Sequence, residues 1–165
     1  EVLPPGAPSP DVAIGRCEVL IGLRQVDRAV DVLEAATAEH PRSPALLWTL
    51  ARLHSRRGEV EVAMRRLSSL DALDARVPGA HVMAAGLLRR RGEPEAALTA
   101  LEQELPGSDA AAALEQVLCL RALGRVDEAE ALVDERLALS PLDPLWRLQD
   151  FPRWARPLLP SPSAR

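Results

Sequence analysis

The side chains best equipped for metal or nucleophilic chemistry in this 165-residue chain are three histidines and two cysteines, and their spacing suits neither task. Cys17 and Cys119 are far apart, and neither has a second Cys or His at metal-ligand spacing, so they read as buried thiols acting as small hydrophobes. His40 precedes Pro41 in a turn. His54 and His81 fall on inward positions of neighbouring helices, where they could approach one another and, with Cys17 or a carboxylate, begin a metal site. No His-x-x-x-His pair accompanies them, so they are expected to pack, and neither a metal nor another cofactor is expected.

Other chemistry has no better footing. There is no Gly-rich phosphate loop and no Gly-x-Ser-x-Gly turn, and Gly22, Gly86 and Gly92 follow no strand pattern. Glu59-Val60-Glu61 and Asp127-Glu128-Ala129-Glu130 read as solvated helix faces, and the chain is not expected to be an enzyme. Its 20 basic residues, all arginine, are nearly balanced by 24 acidic ones, and the net charge of −4 argues against nucleic acid as a partner. No apolar run approaches the roughly 20 residues that span a bilayer, and no signal segment opens the chain. The first residue is Glu1 rather than Met, so a piece of a longer protein is expected. Lys, Asn and Tyr, whose codons are AT-rich, are absent, which points to a GC-rich gene and to no particular compartment.

The elements that must position these side chains are helices. Hydrophobic residues make up 47 % of the chain, dominated by Ala and Leu with one Phe and no Tyr, a composition that favours helix over sheet. A single period governs them: Gly58 and Gly92 lie 34 residues apart and Gly124 follows 32 later, while Ala29, Ala63, Ala97 and Ala129 keep the same beat. Ser9-Pro10 and Ser43-Pro44 repeat at 34 and pair an N-cap hydroxyl with proline at the first helical position; Asp143-Pro144 repeats the device. The glycines mark left-handed helix ends. Apolar residues recur at helical spacing between these marks, as in Leu46, Leu47, Leu50 and Leu53, then Val60, Ala63, Met64, Leu67 and Leu70. The expected helical hairpins are 10–23 with 25–38, 44–57 with 59–72, 78–91 with 93–105, and 109–123 with 125–139, the third closed early by Pro106-Gly107.

A 34-residue helix-turn-helix unit with Gly before its second helix and a small residue five later resembles the tetratricopeptide repeat, over about residues 10–141. Its small position in the first helix is Cys17, Ala51 and Ala85, with Val117 departing; its large apolar position in the second is Leu33, Leu67, Leu101 and Val133; its closing proline is Pro41 and Pro141. Its aromatic and Leu positions in the first helix are taken by residues such as Ala13, Arg16 and His54, so the repeats are degenerate. The resemblance implies an all-α fold, a right-handed α-solenoid of about four repeats plus a C-terminal capping helix. The expected organisation is a Pro-rich linker at 1–9, hairpins at 10–141, a Trp-rich cap at 142–158 that favours a monomer, and a disordered tail at 159–165.

The family binds partners on the concave surface lined by first helices. The matching positions include Asp11, Ile14, Gly15, Glu18 and Ile21 in the first hairpin and Trp48, Thr49, Arg52, Ser55 and Arg56 in the second. Val82, Met83, Gly86, Arg89 and Arg90 follow in the third, then Leu114, Glu115, Leu118 and Arg121 in the fourth. Five arginines and the apolar band of Trp48, Val82, Met83, Leu114 and Leu118 therefore define the expected site for an acidic, partly apolar peptide or helix of a protein partner. The competing expectation is that the arginines solvate the surface and Trp48 packs between hairpins. A rival role is a regulatory or substrate-positioning domain of a larger enzyme. The family's clamp for a terminal carboxylate, built from Lys and Asn, is not expected where neither residue occurs.

Overall fold

A computed structural model describes residues 8–104 and 109–144, together with Trp146 and Gln149. The chain order is α1 (Pro10–Gly22), α2 (Val26–Glu39), α3 (Pro44–Arg57), α4 (Val60–Ala72), α5 (Ala80–Arg91), α6 (Pro94–Leu101), α7 (Asp109–Ala122) and α8 (Val126–Leu139). No strand occurs among the described residues. Each odd helix packs on the even helix that follows, and each even helix on the next odd one, so the fold is an all-α solenoid of helical repeats. The expected linker at 1–9, the cap at 142–158 and the tail at 159–165 fall mostly or wholly outside the described residues.

Small side chains set the hairpin spacing. Ala29, Ala63, Ala97 and Ala129 are fully buried, as are Cys17, Ala51, Ala85 and Val117 on the facing first helices. A methyl-sized group at each crossing lets the two axes approach closely, and larger residues such as Leu33, Leu50 and Leu70 fill the space between successive hairpins.

The turns follow backbone stereochemistry. Gly58, Gly92 and Gly124 have φ of 77°, 86° and 73°, the left-handed region where a Cβ is unwelcome. The next residue then closes the helix end, as where the Glu59 N–H donates to the His54 carbonyl at 3.0 Å. In the first hairpin Arg24 holds the same place at φ 60°, and the Gln25 N–H donates to the Leu20 carbonyl at 2.9 Å.

Two expectations need correction. Neither the Ser9 nor the Ser43 hydroxyl makes a cap bond; proline already fixes the starting φ, and the Ser carbonyls accept from Ala13 and Leu47 at 2.9 and 3.1 Å. Helix α6 is only eight residues long and ends at Leu101, ahead of the expected 105. The repeat position held by buried Ala36 and Leu70 is here Glu104, whose carboxylate accepts from the Gly79 N–H at 2.8 Å and the Val82 N–H at 2.9 Å. It thereby caps the N-terminus of α5, where a negative charge meets the positive end of the helix dipole. Pro106 and Gly107 lie outside the described residues.

Candidate partner-binding groove

The first helices α1, α3, α5 and α7 carry the expected site residues, and part of them line two clefts of different character. The first, about 270 Å³, lies between α1 and α3 and is lined by Ile14, Glu18, Ile21, Thr49, Arg52 and Arg56. Arg52 and Arg56 are exposed and make no hydrogen bond or ion pair among the described residues. The second, about 510 Å³, spans α3, α5 and α7 and includes Trp48, Val82, Met83, Gly86, Arg90 and Glu115. Trp48 and Met83 are half-buried there, each packing against the core while presenting part of its surface to the cleft. Leu114 leans on the core of the fourth hairpin, and Leu118 is half-buried outside the lining of these two clefts.

On α5 and α7 the arginines are engaged. Arg89 Nε donates to Glu115 Oε2 at 2.9 Å, a half-buried ion pair from α5 to α7. Gly86 makes room for it: a Cβ there would stand 3.2 Å from Glu115 Oε1. Arg121 donates through Nη1 to the Gln149 side-chain oxygen at 2.9 Å and through Nη2 to the Gln149 carbonyl at 2.5 Å. Arg90 bridges to α3, with Nη2 donating to Ser55 Oγ at 3.2 Å and Nε to the Gly86 carbonyl at 3.2 Å. Of the five arginines, the pair on α3 is therefore the one left to meet a ligand. The spacing places Arg89 and Glu115 on first helices of successive repeats but does not reveal that they meet.

The histidines do not converge. His54 is buried with Nδ1 on Glu59 Oε2 at 2.5 Å and Nε2 3.5 Å from Glu34 Oε1, inside an ionic network in which Arg57 reaches Asp27 at 2.9 Å and Glu59 at 2.7 Å. His81 lines a separate cleft beside Asp71, Asp74 and Gln103. Among the described residues no three His, Cys, Asp or Glu side chains gather as metal ligands. Burial, and secondarily Glu18, pushes the Cys17 thiol up; burial, and secondarily Glu115, does so for Cys119, so both lose thiolate character. No helix among the described residues is long and apolar enough to cross a membrane.

A stack of helical hairpins with a ligand-sized furrow along its first helices is the architecture of a repeat-type interaction protein. Two sequence profiles of the tetratricopeptide repeat match, over residues 20–86 and 82–144, and the chain belongs to that family. Its repeats make it a protein–protein interaction module. Among solved structures it is similar to the MamA protein (18 % identity, 80 % of this chain and 73 % of that one, TM-score 0.71). YrrB, a tetratricopeptide repeat protein described as having an unusual peptide-binding site, superposes with a TM-score of 0.66 at 18 % identity, over 78 % of this chain and 68 % of that one. A thermophilic tetratricopeptide repeat protein of Thermus thermophilus, TTC0263, does so with a TM-score of 0.63 at 26 % identity, over 81 % and 75 %. Comparison with curated proteins finds no match.

Proposed function

We propose that the module receives an acidic, partly apolar peptide or helix in the groove, with Arg52 and Arg56 as the primary anchors. The observation that carries this reading is the pair of exposed guanidinium groups one turn apart on α3, unpartnered among the described residues, beside the apolar side chains of Ile14 and Ile21. A guanidinium fork meets a carboxylate through two parallel hydrogen bonds, and each such charged bond is worth about 1.5–3 kcal/mol where water is excluded. Trp48 and Met83 extend the apolar floor toward the second cleft. The peptide-binding site described for YrrB, a protein of the same fold, lends support to a peptide as the ligand class.

The test is a peptide array comparing acidic, neutral and basic amphipathic segments, read against the Arg52→Glu, Arg56→Glu double variant. Retention of acidic peptides by the native chain, lost in the variant at unchanged melting temperature and weakened by salt, is the expected result. Equal binding by both proteins removes the α3 arginines from the site.

A further inference from the structure

A larger cleft, about 720 Å³, opens on the second-helix side between α6 and α8, with α7 beneath it. Its lining includes Leu98, Leu101, Leu120 and Leu132, together with exposed Glu102 and Glu135. Part of its origin is the short α6: where α2 and α4 run 14 and 13 residues, α6 stops at eight. Leu101 is consequently half-exposed, although its repeat equivalents Leu33 and Leu67 are buried.

The rest follows from the repeat itself. Between α2 and α4 the corresponding positions are strapped together: Arg66 Nη2 donates to both oxygens of Glu34 at 2.6 Å, and His54 Nε2 stands 3.5 Å from the same carboxylate. Aligned by the period, Glu34 becomes Glu102, Arg66 becomes Leu132 and His54 becomes Leu120. The acid persists and both of its basic neighbours have become leucine. Arg125, the cation lining this cleft, is bound by Glu128 at 2.7 Å, and Glu102 has no ion pair among the described residues.

We propose that this cleft docks a basic amphipathic helix of a partner protein, whose arginine or lysine takes on Glu102 the place that Arg66 takes on Glu34. The apolar side of that helix covers Leu98, Leu101 and Leu132. The charge preference is opposite to that of the first-helix groove, so the two surfaces are separable by ligand sign.

Fluorescence anisotropy with a labelled two-to-four-turn helical peptide, leucines on one face and arginines flanking them, tests this directly. A control peptide carries glutamine in place of each arginine. The arginine peptide is expected to bind saturably and the control not to bind at this cleft. Leu132→Arg, which supplies the missing strap from within, weakens binding at least about tenfold, as loss of a charge-assisted contact does. Glu102→Gln, at an exposed site with no packing role, weakens it severalfold and guards against a folding defect in the first variant. Absence of saturable binding, equal affinity for both peptides, or indifference to both cleft variants overturns the proposal.

Discussion

The two halves of the groove use the same residue type to different ends. On α3, Arg52 and Arg56 have no partner among the described residues and lie beside aliphatic side chains, whereas on α5 and α7 Arg89 and Arg121 are taken up by Glu115 and Gln149. The difference shows that a row of arginines on a repeat face is not a site in itself. What decides is the neighbour one repeat away: where it is Met83 the guanidinium stays available, and where it is Glu115 the charge is spent on holding hairpins together. The same division runs through the core, which is closed around α4 and looser around the short α6.

The largest expected effect sharpens that core contrast. Leu67 is 3 % exposed while its repeat equivalent Leu101 is half-buried. Leu67→Ala should cost about 2–5 kcal/mol, the range for emptying a close-packed leucine site, and Leu101→Ala about half as much or less. Urea denaturation of both variants is the measurement. Equal losses would mean that α6 is as well packed as α4.

Next in size is a change that should make the C-terminal half of the groove resemble the N-terminal half. Glu115→Gln removes the carboxylate that engages Arg89, so an acidic peptide should gain up to about tenfold in affinity through the released guanidinium. The lost half-buried pair should cost only about 1 kcal/mol of stability. Titration calorimetry with the acidic peptide selected on the array reads the first effect and thermal melting the second. Weaker binding would show that Glu115 itself contacts ligand.

What is legible in the sequence is whatever depends on the period. Helix existence and the hairpin boundaries follow from Gly58, Gly92, Gly124 and the buried alanines, because backbone handedness and close helix crossing leave few residue choices at those points. Three features depend on contacts between repeats, which local pattern does not encode. Glu104 reads as the tail of a helix and is instead the cap of α5, 22 to 25 residues back in the chain. His54 reads as an inward packing residue, but its spacing does not reveal that it sits between Glu34 and Glu59 at the second hairpin's junction with the first. Arg89 and Glu115 both fall in the groove by their spacing, which does not reveal that they meet there.

Acid should separate the junctions by a smaller margin. The hydrogen bond from His54 holds the Glu59 carboxyl below its usual range, and those from Arg91 and Arg125 do the same for Glu93 and Glu128. A depressed folded value means that the unfolded chain binds protons more readily. The stabilisation is therefore fully present above the ordinary carboxylate pKa of about 4.3 and disappears as the pH falls through the folded values. Glu59 and Glu93 belong to networks that join hairpins through Asp27 and Glu61, whereas Glu128 pairs within α8's first turn. Glu59→Gln should flatten the acid limb of stability below about pH 4.3 more than Glu128→Gln does, read as urea midpoints. Identical slopes would sink the distinction between junction and local pairs, and high salt should shrink both.

The smallest effect concerns the turn where the first hairpin departs from the other three. Arg24 occupies a left-handed conformation at φ 60° that Gly58, Gly92 and Gly124 adopt without a Cβ, and its exposed side chain makes no bond among the described residues that would offset the strain. A non-glycine residue there costs about 1–2 kcal/mol, while glycine loses about 0.4–1 kcal/mol through the freedom it restores to the unfolded chain. The balance favours Arg24→Gly by about 0.5–1 kcal/mol, a small rise in the urea midpoint at unchanged m-value. Because each hairpin contacts only its neighbours, that gain should protect amides in α1 and α2 from hydrogen exchange more than those in α7 and α8. A uniform gain along the chain would instead mean that the four hairpins open as one cooperative unit, and a loss would mean that Arg24 is held in place by an interaction worth more than the strain it carries.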